Sequence, residues 1–427
     1  MKRNFRSKLI QKRRSEAPTA FLWCEVIIVS KKLDPKRLEA SIKKIDKVFD
    51  KMSRKGISVG GGRVSDRTIK TYKDMVTSLV RECHTRFKVS DISNISNAQV
   101  NVIIQDKIDL FHGADTSQAY NLKTLVAALK FFNLGVQETN VFSYDNKFSI
   151  GEPDKIREVM KKQYVIRKSK ASKVLRATPE ECQSVLDNIK KSGYSTDTRE
   201  VAYNVSNVAF KTGGRVSAIL RLRPRDINFK ENTITFKKDK GGLTRTVRLS
   251  DETMKYLASL VKGKKDHQPI FTLKREEDGT FKSVEEIRKE ISKVVAEAGA
   301  HLTRTEMVKM KDKDGKHILV PVEKKASLHI FRKGFAVERT GEYYNQFPTK
   351  SSIDSYVSKR GEENPKIIEK LKIVRERINK DRTTKRDLTR EEYAIFFTSV
   401  DLGHFRNDVI TSFYTTFKEV QEYYNKK

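Results

Sequence analysis

The sequence is poor in the residues that mark several common function classes. Three cysteines (Cys24, Cys83 and Cys182) stand among 427 residues. They are far apart, with no even disulfide framework and no metal-ligand spacing, a usage that fits a reducing compartment. No glycine-rich loop is followed by Lys-Ser or Lys-Thr, so a P-loop nucleotide site is not expected. Asp312-x-Asp314-Gly315 begins like a calcium loop, but the ligand series stops there and no closing Glu follows at the right distance. Apolar runs are short: none approaches the roughly 18 residues of a membrane span. The first residues are basic, and the short apolar stretch Phe21–Ser30 is broken by Glu25 without a small-residue cleavage site. A secretory signal is therefore not expected.

Negative charge is the largest deficit. Lys plus Arg number 88 against 55 Asp plus Glu, a formal net charge of +33. A surplus of that size points to a polyanionic partner, with nucleic acid first. An acidic protein or an anionic membrane surface would also suit the sign. No long basic amphipathic helix with aromatic anchors supports the membrane. Hydrophobic residues make up 37%, lean but recurring in periodic stretches, which argues against wholesale disorder. The length suggests two or three domains.

Along the chain, residues 1–34 form a basic N-terminal segment: a solvated tail, a phosphate-neutralising arm, or both. Within it the apolar stretch around Trp23 has no evident role. Residues 35–150 read as a helical domain of four or five helices, with Leu38, Ile42, Ile45 and Val48 opening one apolar stripe. A Gly60–Gly62 break and the N-cap Ser65 follow, then stripes on Ile69–Val80, Ile92–Ile104 and Leu122–Phe132. Residues 151–176 are expected as a basic linker. Thr178-Pro179-Glu180-Glu181 is a helix start, with cap, Pro and capping-box Glu in place. It opens a domain over 177–427. There, helices are expected at 178–191, 199–211, 216–221, 251–262, 284–298, 327–344, 364–380 and 415–425. Hairpins are expected at 233–249 and around Asp314-Gly315. The fold class is mainly α with small β-hairpins (α+β).

Four segments of this second domain stand together. They are Thr212-Gly-Gly-Arg215-Val-Ser-Ala-Ile, leading to Leu222 and Asp226-Ile227; Lys240-Gly-Gly-Leu-Thr-Arg245; His329-Ile-Phe-Arg332; and Leu402-Gly403-His404, followed by Tyr414. Taken singly, each has a bland reading: a helix end, a solvated turn lysine, a helix face, a helix C-cap. In this order, on so basic a chain, they resemble the tyrosine recombinase (phage integrase) family, with telomere resolvases as near relatives. The resemblance covers about 178–427, and the helices at 65–136 are similar in pattern to the family's core-binding domain. It departs in three places. Ala218 replaces the usual acidic residue of the first box. The family's usual spacing lands on Phe413, one position before Tyr414, which one extra loop residue explains. The stretch from Arg332 to His404 is several dozen residues longer than usual, through a charged insertion near 345–395.

The resemblance implies a helical core-binding domain plus a tyrosine-recombinase-type catalytic domain, and a catalytic set of Arg215, Lys240, His329, Arg332, His404 and Tyr414. Tyr414 would attack a DNA phosphodiester and form a 3′-phosphotyrosine with a free 5′-hydroxyl. Arg215 and Arg332 would bind the charged phosphorane oxygens, since guanidinium is planar and bidentate. Lys240 would protonate the leaving oxygen, His329 assist the phenol, and His404 hold a phosphate oxygen. Tyr423 and Tyr424 are poorer nucleophile candidates. No metal and no cofactor are implied.

The expected function is site-specific DNA recombination, as an integrase integrating or excising a mobile genetic element. Expected partners are double-stranded DNA at recombination sites, copies of the chain in a tetramer or dimer, and accessory DNA-bending proteins, with no membrane. The expected place is the cytoplasm, on the nucleoid. The alternatives are a telomere resolvase forming hairpin ends, a dimer-resolving recombinase, a type IB topoisomerase activity, and a non-catalytic DNA-binding relative. The terminal helix would dock either on a neighbouring protomer or on its own domain.

Overall fold

A computed structural model describes residues 34–426 apart from 57, 60–61, 114, 143–147, 166–171, 238 and 240–243. The basic N-terminal segment with Trp23, most of the basic run 167–173, part of the Gly60–Gly62 break and Lys240 lie outside the described residues. The fold is mainly α with small antiparallel hairpins, as expected.

The described residues fall into two compact units, one of Met1–Arg167 with Lys311–His317 and one of Lys168–Met310 with Ile318–Lys427. In the first unit, helices α1 (Pro35–Lys55), α2 (Asp66–Phe87), α3 (Asn97–His112) and α4 (Gln118–Thr139) form a bundle. Between α1 and α2 lie the short strands β1 (Ser58–Val59) and β2 (Gly62–Arg63). Each helix buries the stripe its periodicity announces: Ile45, Val48 and Phe49 from α1, Val76 and Leu79 from α2, Ile103 and Ile104 from α3, and Leu122, Leu129 and Phe132 from α4. Local signals set the starts. Asp34 caps α1, Ser65 caps α2, and Ser96 with Gln99 forms a capping box on α3. The stretch expected as linker holds a further helix, α5 (Pro153–Lys162), which buries Ile156 and Met160. Ile156, Val159 and Met160 give a single short apolar stripe in ten positions, so the basic composition of the stretch hid a short amphipathic helix.

The first helix of the second unit, α6 (Pro179–Lys191), starts at the predicted capping box, and α7 (Thr196–Thr212) and the single turn α8 (Val216–Ile219) follow. A three-stranded antiparallel sheet follows, from β3 (Ile227–Asn228), β4 (Thr233–Phe236) and β5 (Arg245–Arg248), with Ile234 facing Val247 across the ladder. Helices α9 (Asp251–Val261) and α10 (Val284–Ala298) come next, then a two-stranded sheet of β6 (Arg304–Lys311) and β7 (His317–Lys324).

Helix α11 (Ile330–Gln346) is the centre of this unit: eleven of its residues are buried, from Ile330 to Tyr343. It packs on α6, on α7, on α14 (Arg390–Asp401) and on α16 (Phe417–Tyr424). Beyond it lie α12 (Lys350–Glu363) and α13 (Lys366–Ile378), and between α14 and α16 the short α15 (Asn407–Phe413).

The charged insertion is an integral part of this core. Ile353, Ile367, Leu371 and Val374 join Tyr343, Phe347, Phe396 and Phe397 in one buried cluster. Three helices, α12, α14 and the short α15, lie where none was expected. Helix α14 carries buried residues at every position from Tyr393 to Asp401, so it shows no one-sided stripe for periodicity to detect. The terminal helix docks on its own unit: Val420 and Tyr423 pack on Val337, and a Cβ at Gly341 would stand 2.0 Å from the Tyr424 ring.

Candidate active site

Helix α7 ends at Gly213, which adopts φ 60°. A side chain there would be strained, and its Cβ would lie 2.5 Å from the Phe335 ring. The turn presents the Gly213 carbonyl to two guanidiniums. Arg245 on β5 donates to it from Nη2 at 3.1 Å, and Arg332 from Nη1. Arg215, two residues after the turn, starts α8.

His329 and Arg332 sit at the N-terminus of α11, three apart and so on one face. Arg332 is 2% exposed. Besides Gly213, its Nη2 reaches the Leu402 carbonyl at 3.1 Å and the Tyr414 hydroxyl at 3.3 Å. One buried cation therefore pins together the end of α7, the turn after α14 and the segment after α15. Burial pulls Arg332 below the ordinary guanidinium value.

The Leu402-Gly403-His404 turn closes α14. Gly403 takes φ 72° and Phe405 φ 55°, while the N–H groups of Gly403 and His404 each donate back to α14 carbonyls at 2.8 Å. The reversal brings Nε2 of His404 to within 2.9 Å of the Tyr414 hydroxyl. The His329 ring lies 5.3 Å from the Tyr414 ring, centroid to centroid. Burial, with the charges of Arg332, Lys333 and Arg215 added, pushes the His329 imidazole down to about 3, so it is neutral at physiological pH.

The phenol belongs to Tyr414 and not to its neighbour. Tyr414 is 4% exposed in a small cluster with Phe335 and Leu402, whereas Phe413 is 40% exposed. Tyr423 is buried against Val337, away from this cluster. Five of the six sequence-derived residues are thus described. Arg332, His404 and Tyr414 are linked by hydrogen bonds, with the His329 ring beside them, and Arg215 joins through the group described next. Lys240 lies outside the described residues.

Three residues of this cluster were absent from the sequence-derived set. Asp239, buried, takes Arg215 at 2.5 Å and Arg245 at 2.9 Å on the same carboxylate oxygen. Burial alone would raise its carboxyl. The hydrogen bond from Arg215 and the charges of Arg245 and Arg215 outweigh that and hold it far below the ordinary carboxylate range. Arg245, also buried, is pulled down to about 10 by burial and then by the Arg332 charge. It donates as well to the Asp401 carbonyl. Asp401 itself accepts from Arg339 at 2.7 Å and from Tyr343 at 2.8 Å, and lies 3.8 Å from Arg360 of the insertion. It fastens the residue before Leu402 to α11 and α12. The one sequence signal for Asp239 is an acid inside an otherwise basic turn. Asp401 carries no signal, because its partners are distant in sequence.

Arg215 and Arg245 thus share one carboxylate, Asp239, Arg332 bonds to two carbonyls and to Tyr414, and Asp401 is held by Arg339 and Arg360. The excess positive charge, partly desolvated, suits a phosphate.

Among solved structures, the chain aligns with the Tn1549 transposon integrase in complex with transposon right end DNA, at 13% identity over 90% of this chain and 98% of that one, TM-score 0.43. It also aligns with a lambda integrase dimer bound to a COC′ core site, at 13% identity over 69% and 87%, TM-score 0.41. A third is the XerH site-specific recombinase bound to palindromic difH substrate, at 16% identity over 73% and 88%, TM-score 0.40. No curated protein matches the sequence. The model of the phage integrase family matches residues 176–338, the stretch that contains Arg215, Lys240, His329 and Arg332. Over that stretch the chain is similar to the phage integrase family.

Proposed function

We propose that this protein is a tyrosine-type site-specific DNA recombinase that cuts and rejoins duplex DNA through a 3′-phosphotyrosine on Tyr414. The observation that carries the reading is the convergence of His404 and Arg332 on the Tyr414 hydroxyl, at 2.9 and 3.3 Å.

Each residue has a derivable part. The phenol gives up its proton and its oxygen attacks phosphorus, and the P–O5′ bond breaks. The leaving 5′-oxygen takes a proton, for which Lys240 on the β4–β5 connection is the donor. His329, kept neutral by burial and positive neighbours, is too weak a base to hold the phenol proton and assists from beside the Tyr414 ring as a neutral polar neighbour. His404 partners the phenol at rest and transfers its hydrogen bond to a phosphate oxygen once DNA is bound. Arg215 and Arg332 meet the charge that grows on the non-bridging oxygens, in a site with little water to screen it. The phosphotyrosine conserves the bond, so attack by a 5′-hydroxyl reverses the step and reseals a strand without ATP.

Exchanging two duplexes requires four strand cleavages. With one tyrosine per chain, that calls for four copies on paired sites. The basic surface of a +33 chain suits DNA, and the reading places the protein on the nucleoid, integrating or excising a mobile element. The test uses duplexes from the DNA flanking the protein's own gene, nicked next to each candidate cleavage point so that the released strand end diffuses away. A covalent protein–DNA species resistant to denaturant is expected. Tight binding with no such species would overturn the reading in favour of a DNA-binding role.

A further inference from the structure

The candidate active site borders a small pocket. Its lining includes Arg215, Asp239 and Arg245 together with Asn364, Lys366 and Phe405. The first three belong to the catalytic cluster, and Phe405 directly follows His404. Asn364 and Lys366 come from the insertion that lengthens the chain between Arg332 and His404.

The insertion side of the pocket is held in place. Ile367, Leu371 and Val374 of α13 are buried in the cluster with Phe396 and Phe397. The Lys366 N–H donates to Asn364 Oδ1 at 3.2 Å, which fixes the turn into the helix. The preceding helix α12 is tied to the catalytic side by Arg248–Glu363 at 2.5 Å and Arg360–Asp401 at 3.8 Å. Against that rigid base the Lys366 side chain is exposed, with its Nζ 5.5 Å from the centre of the Phe405 ring. Among the described residues, the pocket lining thus holds three cations, Arg215, Arg245 and Lys366, against the carboxylate of Asp239. Arg215 and Arg245 both spend contacts on that carboxylate. Lys366 is the flexible, strongly hydrated point charge at the rim, the form of cation that meets a phosphate from varied directions.

We propose that Lys366 binds a backbone phosphate next to the scissile one, so that the insertion extends the DNA-binding surface of the active site. This rests on the recombinase reading above. The pocket joins Lys366 to Arg215, and a phosphate bound between Arg215 and Arg332 carries its neighbours along the same strand past the rim. The insertion then has a role beyond packing: it adds a phosphate contact that the four sequence motifs do not supply.

The test compares the full-length wild type with Lys366→Ala and Lys366→Arg, on nicked duplexes from the flanks of the protein's own gene. Affinity is measured over a range of salt. Single phosphates around the cleavage point are replaced in turn by neutral methylphosphonate. Lys366→Ala is expected to bind more weakly, with a slope of log affinity against log salt shallower by about 0.9, the loss of one phosphate contact. Lys366→Arg should stay near wild type. Methylphosphonate at one flanking position should weaken the wild type and leave Lys366→Ala unchanged. If the wild type forms a covalent adduct and Lys366→Ala shows unaltered affinity and salt slope, the assignment of Lys366 is wrong and the recombinase reading stands. If the wild type forms no adduct on any duplex, the recombinase reading falls and this proposal with it.

Discussion

The Tyr414 hydroxyl and Nε2 of His404 are 2.9 Å apart, although ten positions and the whole of α15 separate them in the chain. The contact exists because Gly403 and Phe405 both take positive φ, which turns His404 back over the end of α14. The helix that follows ends at Phe413, so Tyr414 is the first residue free to swing inward.

Replacing His404 with Ala should remove the phenol's partner and one donor to the phosphorane. We expect single-turnover cleavage of a nicked duplex to fall by about 10²–10³-fold, with DNA affinity within a few-fold of wild type. A loss confined to affinity would place His404 in binding and not in the chemical step.

The two motif arginines should behave differently when changed to Lys. Arg332 satisfies the carbonyls of Gly213 and Leu402 and touches Tyr414, a geometry that an ammonium does not reproduce. Arg332→Lys should lose cleavage and also stability, by about 1–3 kcal/mol for a stranded buried carbonyl, read by urea unfolding. Arg215 is only partly buried, and its ion pair is with Asp239. Arg215→Lys should lose cleavage with little change in the unfolding midpoint.

His329 makes a prediction in pH. Its imidazole, ordinarily near 6.5, is pushed down to about 3 in the folded protein. Between those values the unfolded chain binds a proton that the folded one refuses. Folding stability linked to this group is therefore complete above about pH 6.5 and declines as the pH falls toward 3. Urea unfolding between pH 7 and pH 4 should show a shallower acid loss for His329→Gln than for the wild type. Equal slopes would mean that His329 is not held neutral.

The sequence carried the local signals well and the distant ones poorly. The Thr178 capping box, the β4–β5 pairing and the apolar stripes of α1 to α4 are all short-range patterns, and each appears where its pattern stood. The four motifs owed their meaning to order along the chain. What escaped was set by contacts between remote residues. Helix α14 is buried all round, so its apolar residues form no stripe. Asp239 and Asp401 act through partners such as Arg215, Arg339 and Arg360, which no spacing rule connects to them. The insertion is legible in the sequence only as a charged stretch with one helix, yet its apolar face completes the core around Phe397, and Lys366 lines the pocket beside the candidate site.

The most direct measurement identifies the residue that carries the DNA. The covalent species from a nicked duplex would be digested with protease and nuclease, and the nucleotide-bearing peptide sequenced by mass spectrometry, for the wild type and for Tyr414→Phe. The account predicts a nucleotide on Tyr414 and no adduct from the variant. An adduct on Tyr423 or Tyr424, or one that persists in Tyr414→Phe, would contradict it.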